Sequence, residues 1–174
     1  MFYTESSYIE FPNNGGLDTR FSITLMCWVQ RAGQNGPLFN YGTSKVQMWI
    51  VSGKLLNQIA KRSLQRLPRI TTEVLPRGKW VHVAASYDHH TGINSLYING
   101  HLRSSQYIGT GYEIATASQA VRMGAEDLFT GFKGKIAEMK VYDAALNETQ
   151  IQTSITQGSC TFFRNLILKR NDYC

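Results

Sequence analysis

No apolar run in this chain approaches the about 18 residues that a membrane-spanning helix needs, so membrane insertion is not expected. Charge is scarce as well, at 17% of residues against 43% apolar, a balance that excludes a disordered polyelectrolyte. There are only three cysteines, Cys27, Cys160 and Cys174, and their spacing fits no zinc motif. No glycine-rich phosphate loop is present, since Gly109-Thr110-Gly111 lacks both the following helix and the lysine. Ser86 and the other serines lack a Gly-x-Ser-x-Gly setting. A glycosidase needs two carboxyl groups across a cleft, often visible as acids two apart on one strand. Here the strand acids Glu10 and Glu138 each stand alone. No linker, low-complexity segment or internal repeat is found, and no leader-like segment is legible at Met1.

What is present reads as β structure. Nine Tyr, eight Phe and three Trp accompany frequent Val, Ile and Thr, and 15 Gly supply turns. A length of 174 residues fits one domain. In Phe21–Val29, alternation places Phe21, Ile23, Leu25, Cys27 and Val29 on one face. Ser22, Thr24, Met26 and Trp28 on the other are only half polar, as in a strand covered on both sides. Leu38–Tyr41 and Val46–Val51 flank Gly42-Thr43-Ser44 as a hairpin. Trp80–Tyr87 alternates again, ending in the polar loop Asp88-His89-His90-Thr91-Gly92. Asn99-Gly100 predicts a type I′ turn inside Ser95–Leu102. Ile136–Tyr142 reads as another strand. A short helix of a turn or two should follow, capped by Asn147 with Gln150 as reciprocal partner, stapled by Leu146 and Ile151, and packed on an edge of the sandwich. Short strands with a single helix predict a sandwich or barrel.

The order of the pieces adds to this. Tyr8-Ile9-Glu10-Phe11-Pro12 is followed by Leu17-Asp18, the Ile23–Val29 strand with Trp28, Gly78–Asp88, and Leu96-Tyr97-Ile98-Asn99-Gly100. Met123-Gly124, Phe132–Tyr142 and Leu146–Ile151 complete the series. It resembles the laminin G-like family of the concanavalin A-like lectin and glucanase superfamily, over about residues 3–155. The resemblance implies an all-β jelly roll of two antiparallel sheets, with ligands on the concave face or rim loops. It divides the chain into a domain at 1–159 and a tail at 160–174. It implies an extracellular setting, and with no visible leader the chain is then expected to be a piece of a longer secreted protein. Many relatives carry an Asp before the strand Glu that helps to hold calcium. Here that position is Ala137, which counts against a calcium cofactor and leaves Asp18, Glu126 and Asp127 as rim candidates.

The tail is bounded by Cys160 and Cys174, read as a disulfide or as two free thiols, while Cys27 in its strand reads as buried and inert. The formal charge of +6 favours anionic partners. Lys54, Lys61, Arg62, Arg66, Arg69, Arg77 and Lys79 fall within residues 54–79 against one acid, Glu73. They read either as a surface for sulfated or carboxylated glycans or as a charged edge that resists aggregation. Residues 54–79 contain no aromatic side chain, so stacking on nucleic acid is not expected. His89 and His90 are expected to point apart as a polar turn, and His82 to be a hydrogen-bonded packing residue. Asn147-Glu148-Thr149 is a glycosylation sequon whose Asn is also the predicted cap.

Three functions follow. The first is a non-catalytic module for anionic glycans or matrix polyanions. The second is a structural or adhesion module for matrix proteins, including mineral-associated matrix. A glycosidase is the third, and it lacks its carboxylate pair.

Overall fold

The computed structural model describes residues 8–33, 35–43, 45–116, 120–125 and 131–156. Two antiparallel sheets face each other. The six-stranded sheet has the order β1 (Ile9–Phe11), β10 (Val121–Met123), β3 (Gly36–Asn40), β4 (Gln47–Val51), β5 (Lys54–Gln58), β6 (Ile70–Val74). The five-stranded sheet has the order β11 (Gly134–Tyr142), β2 (Ile23–Arg31), β7 (Trp80–Asp88), β8 (Ile93–Ile98), β9 (His101–Tyr107). Among the described residues one helix, α1 (Glu148–Thr156), follows β11.

The period-2 pattern fills the space between the sheets. Ile23, Leu25, Cys27 and Val29 of β2 meet Phe39, Met48, Ile50 and Leu55 from the other sheet, together with Val81, Val83, Ala85 and Tyr87 of β7. Phe21 does not join them. It precedes the strand, is 47% exposed and packs on the His89 ring instead. The Asn99-Gly100 turn has the positive φ values, 51° and 80°, that a type I′ turn requires.

β2 is covered on both sides, as its half-apolar second face predicts. Met26, Ala84 and Tyr97 form a second core under Ile151, with Tyr142, Leu146 and Ile155 against it. The helix therefore packs on the outer face of the five-stranded sheet, not on an edge, because that face offers an apolar seat. Its start is the reciprocal capping box: Gln150 N–H donates to Asn147 Oδ1 and Asn147 N–H donates to Gln150 Oε1, each at 2.9 Å. Among the described residues, no helix is long and apolar enough to cross a membrane.

The sandwich has two rims. At one, Arg62 N–H donates to Glu113 O, Ile114 N–H to Arg20 O, and Tyr41 OH to Leu17 O. At the other, Gly78 N–H donates to Arg31 O, Leu75 N–H to Gly53 O, and Ala32 N–H to Lys133 O. The first is the Asp18 rim and the second the Arg31 rim.

Candidate functional site: a polar row beside Trp49

In the six-stranded sheet, Met48, Ile50, Leu55 and Asn57 point into the core, so their neighbours Gln47, Trp49, Lys54, Leu56 and Gln58 face outward. The register aligns these outward positions across strands. Glu10 lies opposite Arg122, Arg122 opposite Asn40, Asn40 opposite Gln47, and Gln47 opposite Gln58. Five strands thus contribute one continuous polar row. Arg69 extends it, its Nε donating to Gln58 Oε1 at 2.7 Å. The next outward row carries Trp49 opposite Leu56, and Leu56 opposite Thr71.

The row is held in place by its own hydrogen bonds. Gln58 Nε2 donates to Ile59 O at 2.8 Å and Leu67 O at 2.7 Å, which leaves its oxygen for Arg69. Asn40 Oδ1 accepts from Gly42 N–H at 2.7 Å and from Gln47 Nε2 at 3.3 Å. Arg122 Nε donates to Glu10 Oε2 at 2.8 Å while its guanidinium lies 4.8 Å from the Tyr8 ring centroid. Arg69 is exposed, and its terminal nitrogens have no protein acceptor among the described residues. Amides and guanidinium groups held in fixed positions beside an aromatic ring can bind hydroxyl and oxyanion groups on one side and a sugar ring face on the other.

The basic stretch does not form one surface. β5 and β6 are antiparallel, so residues 54–79 run from the Arg31 rim to the Asp18 rim and back. Lys61, Arg62, Arg66 and Arg69 gather at the Asp18 rim, whereas Lys54, Arg77 and Lys79 sit at the opposite rim. Arg62 is already engaged. It donates to both oxygens of Asp18, at 3.1 and 2.7 Å, and lies 3.5 Å from Glu113. Lys61 Nζ stands 5.0 Å from the Tyr112 ring centroid. Arg77 donates to Ala32 O.

Asp18 also accepts from Thr116 Oγ1 at 2.9 Å. The Arg62 hydrogen bonds hold its carboxyl below the usual carboxylate range, and a guanidinium seated on both oxygens opposes a cation there. Glu126 and Asp127 lie outside the described residues, as do Cys160 and Cys174. Among the described residues no three His, Cys, Asp or Glu groups converge as metal ligands would. Ala137 pairs with Trp28 just before the β11 bulge.

The histidines correct two expectations. His89 and His90 do not point apart: their rings meet edge to face, centroids 5.7 Å apart, because the loop folds back on the Asp88 carboxylate. His89 Nδ1 lies 3.1 Å from Tyr112 O, so His89 is part of the rim packing, while His90 is exposed. His82 Nδ1 is buried without a hydrogen-bond partner, and its ring packs edge-on to Trp28 at 5.4 Å. Burial, with the Lys140 charge, pushes it down to about 4. Cys27 is a free, buried thiol whose pKa is pushed up by burial. Asn147 is exposed with its oxygen occupied by the cap.

The comparisons agree with this architecture. No curated protein matches the sequence. A protein from Bacteroides ovatus proposed to bind carbohydrate is 17% identical with a TM-score of 0.63; the match covers 86% of this chain, which spans 47% of that protein's length. The CBM40 domain of a Ruminococcus gnavus sialidase, solved with α2,3-sialyllactose, is 14% identical with a TM-score of 0.68, covering 86% of this chain and 92% of that one. Domain 4 of the Geobacillus stearothermophilus arabinanase AbnA, solved with arabinotriose, is 22% identical with a TM-score of 0.62, covering 83% and 70%. At these identities the likeness is one of fold. A laminin G-type family model matches residues 3–152, and on that match the chain belongs to the concanavalin A-like lectin/glucanases superfamily.

Proposed function

We propose that this chain is a non-catalytic module that binds an anionic glycan across the outer face of the six-stranded sheet, at the end that meets the Asp18 rim. The observation that carries the reading is the row Arg122–Asn40–Gln47–Gln58–Arg69 beside Trp49. Gln47, Arg69 and Arg122 offer hydroxyl partners and cationic groups on that surface beside the half-buried Trp49 ring, while Asn40 and Gln58, each 2% exposed, brace Gln47 and Arg69 from beneath. That two domains of this fold were solved with sialyllactose and arabinotriose supports a sugar as the ligand. The setting proposed is extracellular, as one part of a larger protein.

The carboxylates support a non-catalytic role. Glu10 is paired with Arg122, Asp18 with Arg62, Glu113 with Arg20, and Glu73 with Arg103. Glu138 has a positive φ of 50° within the irregular part of β11. A glycosidase needs one carboxyl kept protonated near neutral pH, and Asp18 is shifted the opposite way.

The test is retention on a heparin column over a salt gradient, with and without calcium, against the double variant R66E/R69E. The reading predicts retention above physiological salt that the variant loses. Free passage of both proteins would instead direct the search to a matrix protein partner.

A further inference from the structure

The sequon Asn147-Glu148-Thr149 takes no part in the polar row, and its local geometry suits it to a role of its own. No other asparagine in the sequence is followed at the second position by Ser or Thr. The turn that leads into it is pinned to β2. Thr24 Oγ1 donates to Ala144 O at 2.6 Å and accepts from Leu146 N–H at 2.9 Å, while the Leu146 side chain packs on the second core. The chain then turns outward. Asn147 and Thr149 are both exposed, and Glu148 between them reaches His101 instead, Oε1 to Nδ1 at 3.1 Å.

The cap determines which end of the Asn147 amide is free. A backbone N–H can only donate, so the atom that meets Gln150 N–H at 2.9 Å is Oδ1. The backbone N–H of Asn147 is satisfied by Gln150 Oε1, also at 2.9 Å. Nδ2 has no protein acceptor among the described residues and belongs to an exposed side chain. N-glycosylation joins the sugar to Nδ2 and leaves the carbonyl oxygen its lone pairs, so one side chain can carry a glycan and cap α1 together. Capping alone does not call for this pair of residues. Asp or Ser caps as well as Asn, and Thr is a poorer helix former than Ala or Glu inside the first turn.

We infer that Asn147 is the acceptor of an N-linked glycan and keeps its capping bond when modified. In the transfer, Nδ2 attacks the anomeric carbon of a lipid-pyrophosphate-linked oligosaccharide. The N–C bond forms, the C–O bond to the pyrophosphate breaks, and Nδ2 gives up one proton as the lipid pyrophosphate leaves. Because α1 lies on the outer face of the five-stranded sheet, the sugar chain stands on the opposite side of the sandwich from Gln47 and Arg69. The inference rests on the extracellular setting proposed above and not on the ligand proposed for the six-stranded sheet.

The experiment is secretion of the full chain from cultured insect cells behind a supplied leader, alongside the variants T149A and N147A. Peptide mass mapping before and after treatment with peptide-N-glycosidase reads the site, and hydrogen exchange of the α1 amides reads the cap. The parent should carry a glycan that the glycosidase releases, leaving an aspartate at position 147, and T149A should carry none. The first-turn amides of α1 should exchange equally in the glycosylated parent and in T149A, and about fivefold faster in N147A. A secreted parent with an unmodified Asn147 overturns the inference, and because the leader is supplied, that result counts against the site and not against the setting. A glycosylated parent whose α1 amides exchange as fast as those of N147A overturns the shared cap.

Discussion

Arg62 holds Asp18 fork to fork across the rim, Nη1 to Oδ1 at 3.1 Å and Nη2 to Oδ2 at 2.7 Å, joining the 59–69 loop to the chain before β2. The hydrogen bonds from Arg62 lower the folded-state pKa of Asp18 from an ordinary 3.8. A depressed carboxylate contributes stability that is complete above its unfolded value and lost as pH falls through the folded one. Asp18→Asn should therefore cost about 1–2 kcal/mol at pH 7, discounted for the partial exposure of Arg62, and much less below pH 3. Urea unfolding of the two proteins at both pH values measures the difference.

His82 predicts a second and separate pH window. Its folded pKa of about 4 lies below the ordinary 6.5 because burial and Lys140 disfavour the charged ring. The unfolded chain binds a proton first, so stability is full above pH 6.5 and falls as pH drops toward 4. The loss should reach on the order of 2–3 kcal/mol. His82→Gln should flatten the urea midpoint between pH 7 and 4.5, and an unchanged slope in that variant would show that another group is responsible.

The capping box at Asn147 predicts a local cost. Asn147→Ala removes the acceptor for the Gln150 N–H and should destabilise the fold by about 1 kcal/mol. Because α1 seals the second core through Ile151, the loss should appear as a lower midpoint with an unchanged m-value.

Much of this architecture was legible because its signals are local. Alternation marked β2 and β7, Asn99-Gly100 marked its hairpin, and Asn147 with Gln150 marked the helix start to the residue. The seat of that helix was half visible, in the apolar second face of β2. Deciding between an edge and the outer face required Ala84 and Tyr97, which only the strand register brings beside Met26.

The candidate site was hidden for a related reason. A five-residue strand spans roughly 17 Å, so a basic run that passes along β5 and returns along β6 delivers its charges to opposite rims. The polar row draws Glu10, Arg122, Asn40, Gln47 and Gln58 from strands far apart in sequence, and no spacing rule connects them.

The most direct test of glycan recognition is a ¹H–¹⁵N titration with a sulfated tetrasaccharide, read at the side-chain amides of Gln47 and Gln58 and the backbone of β4 and β5. Saturable shifts are expected at these positions, with Arg69→Ala weakening the affinity about five- to tenfold. Shifts absent from β4 and β5, or an affinity unchanged in Arg69→Ala, would contradict recognition on this face.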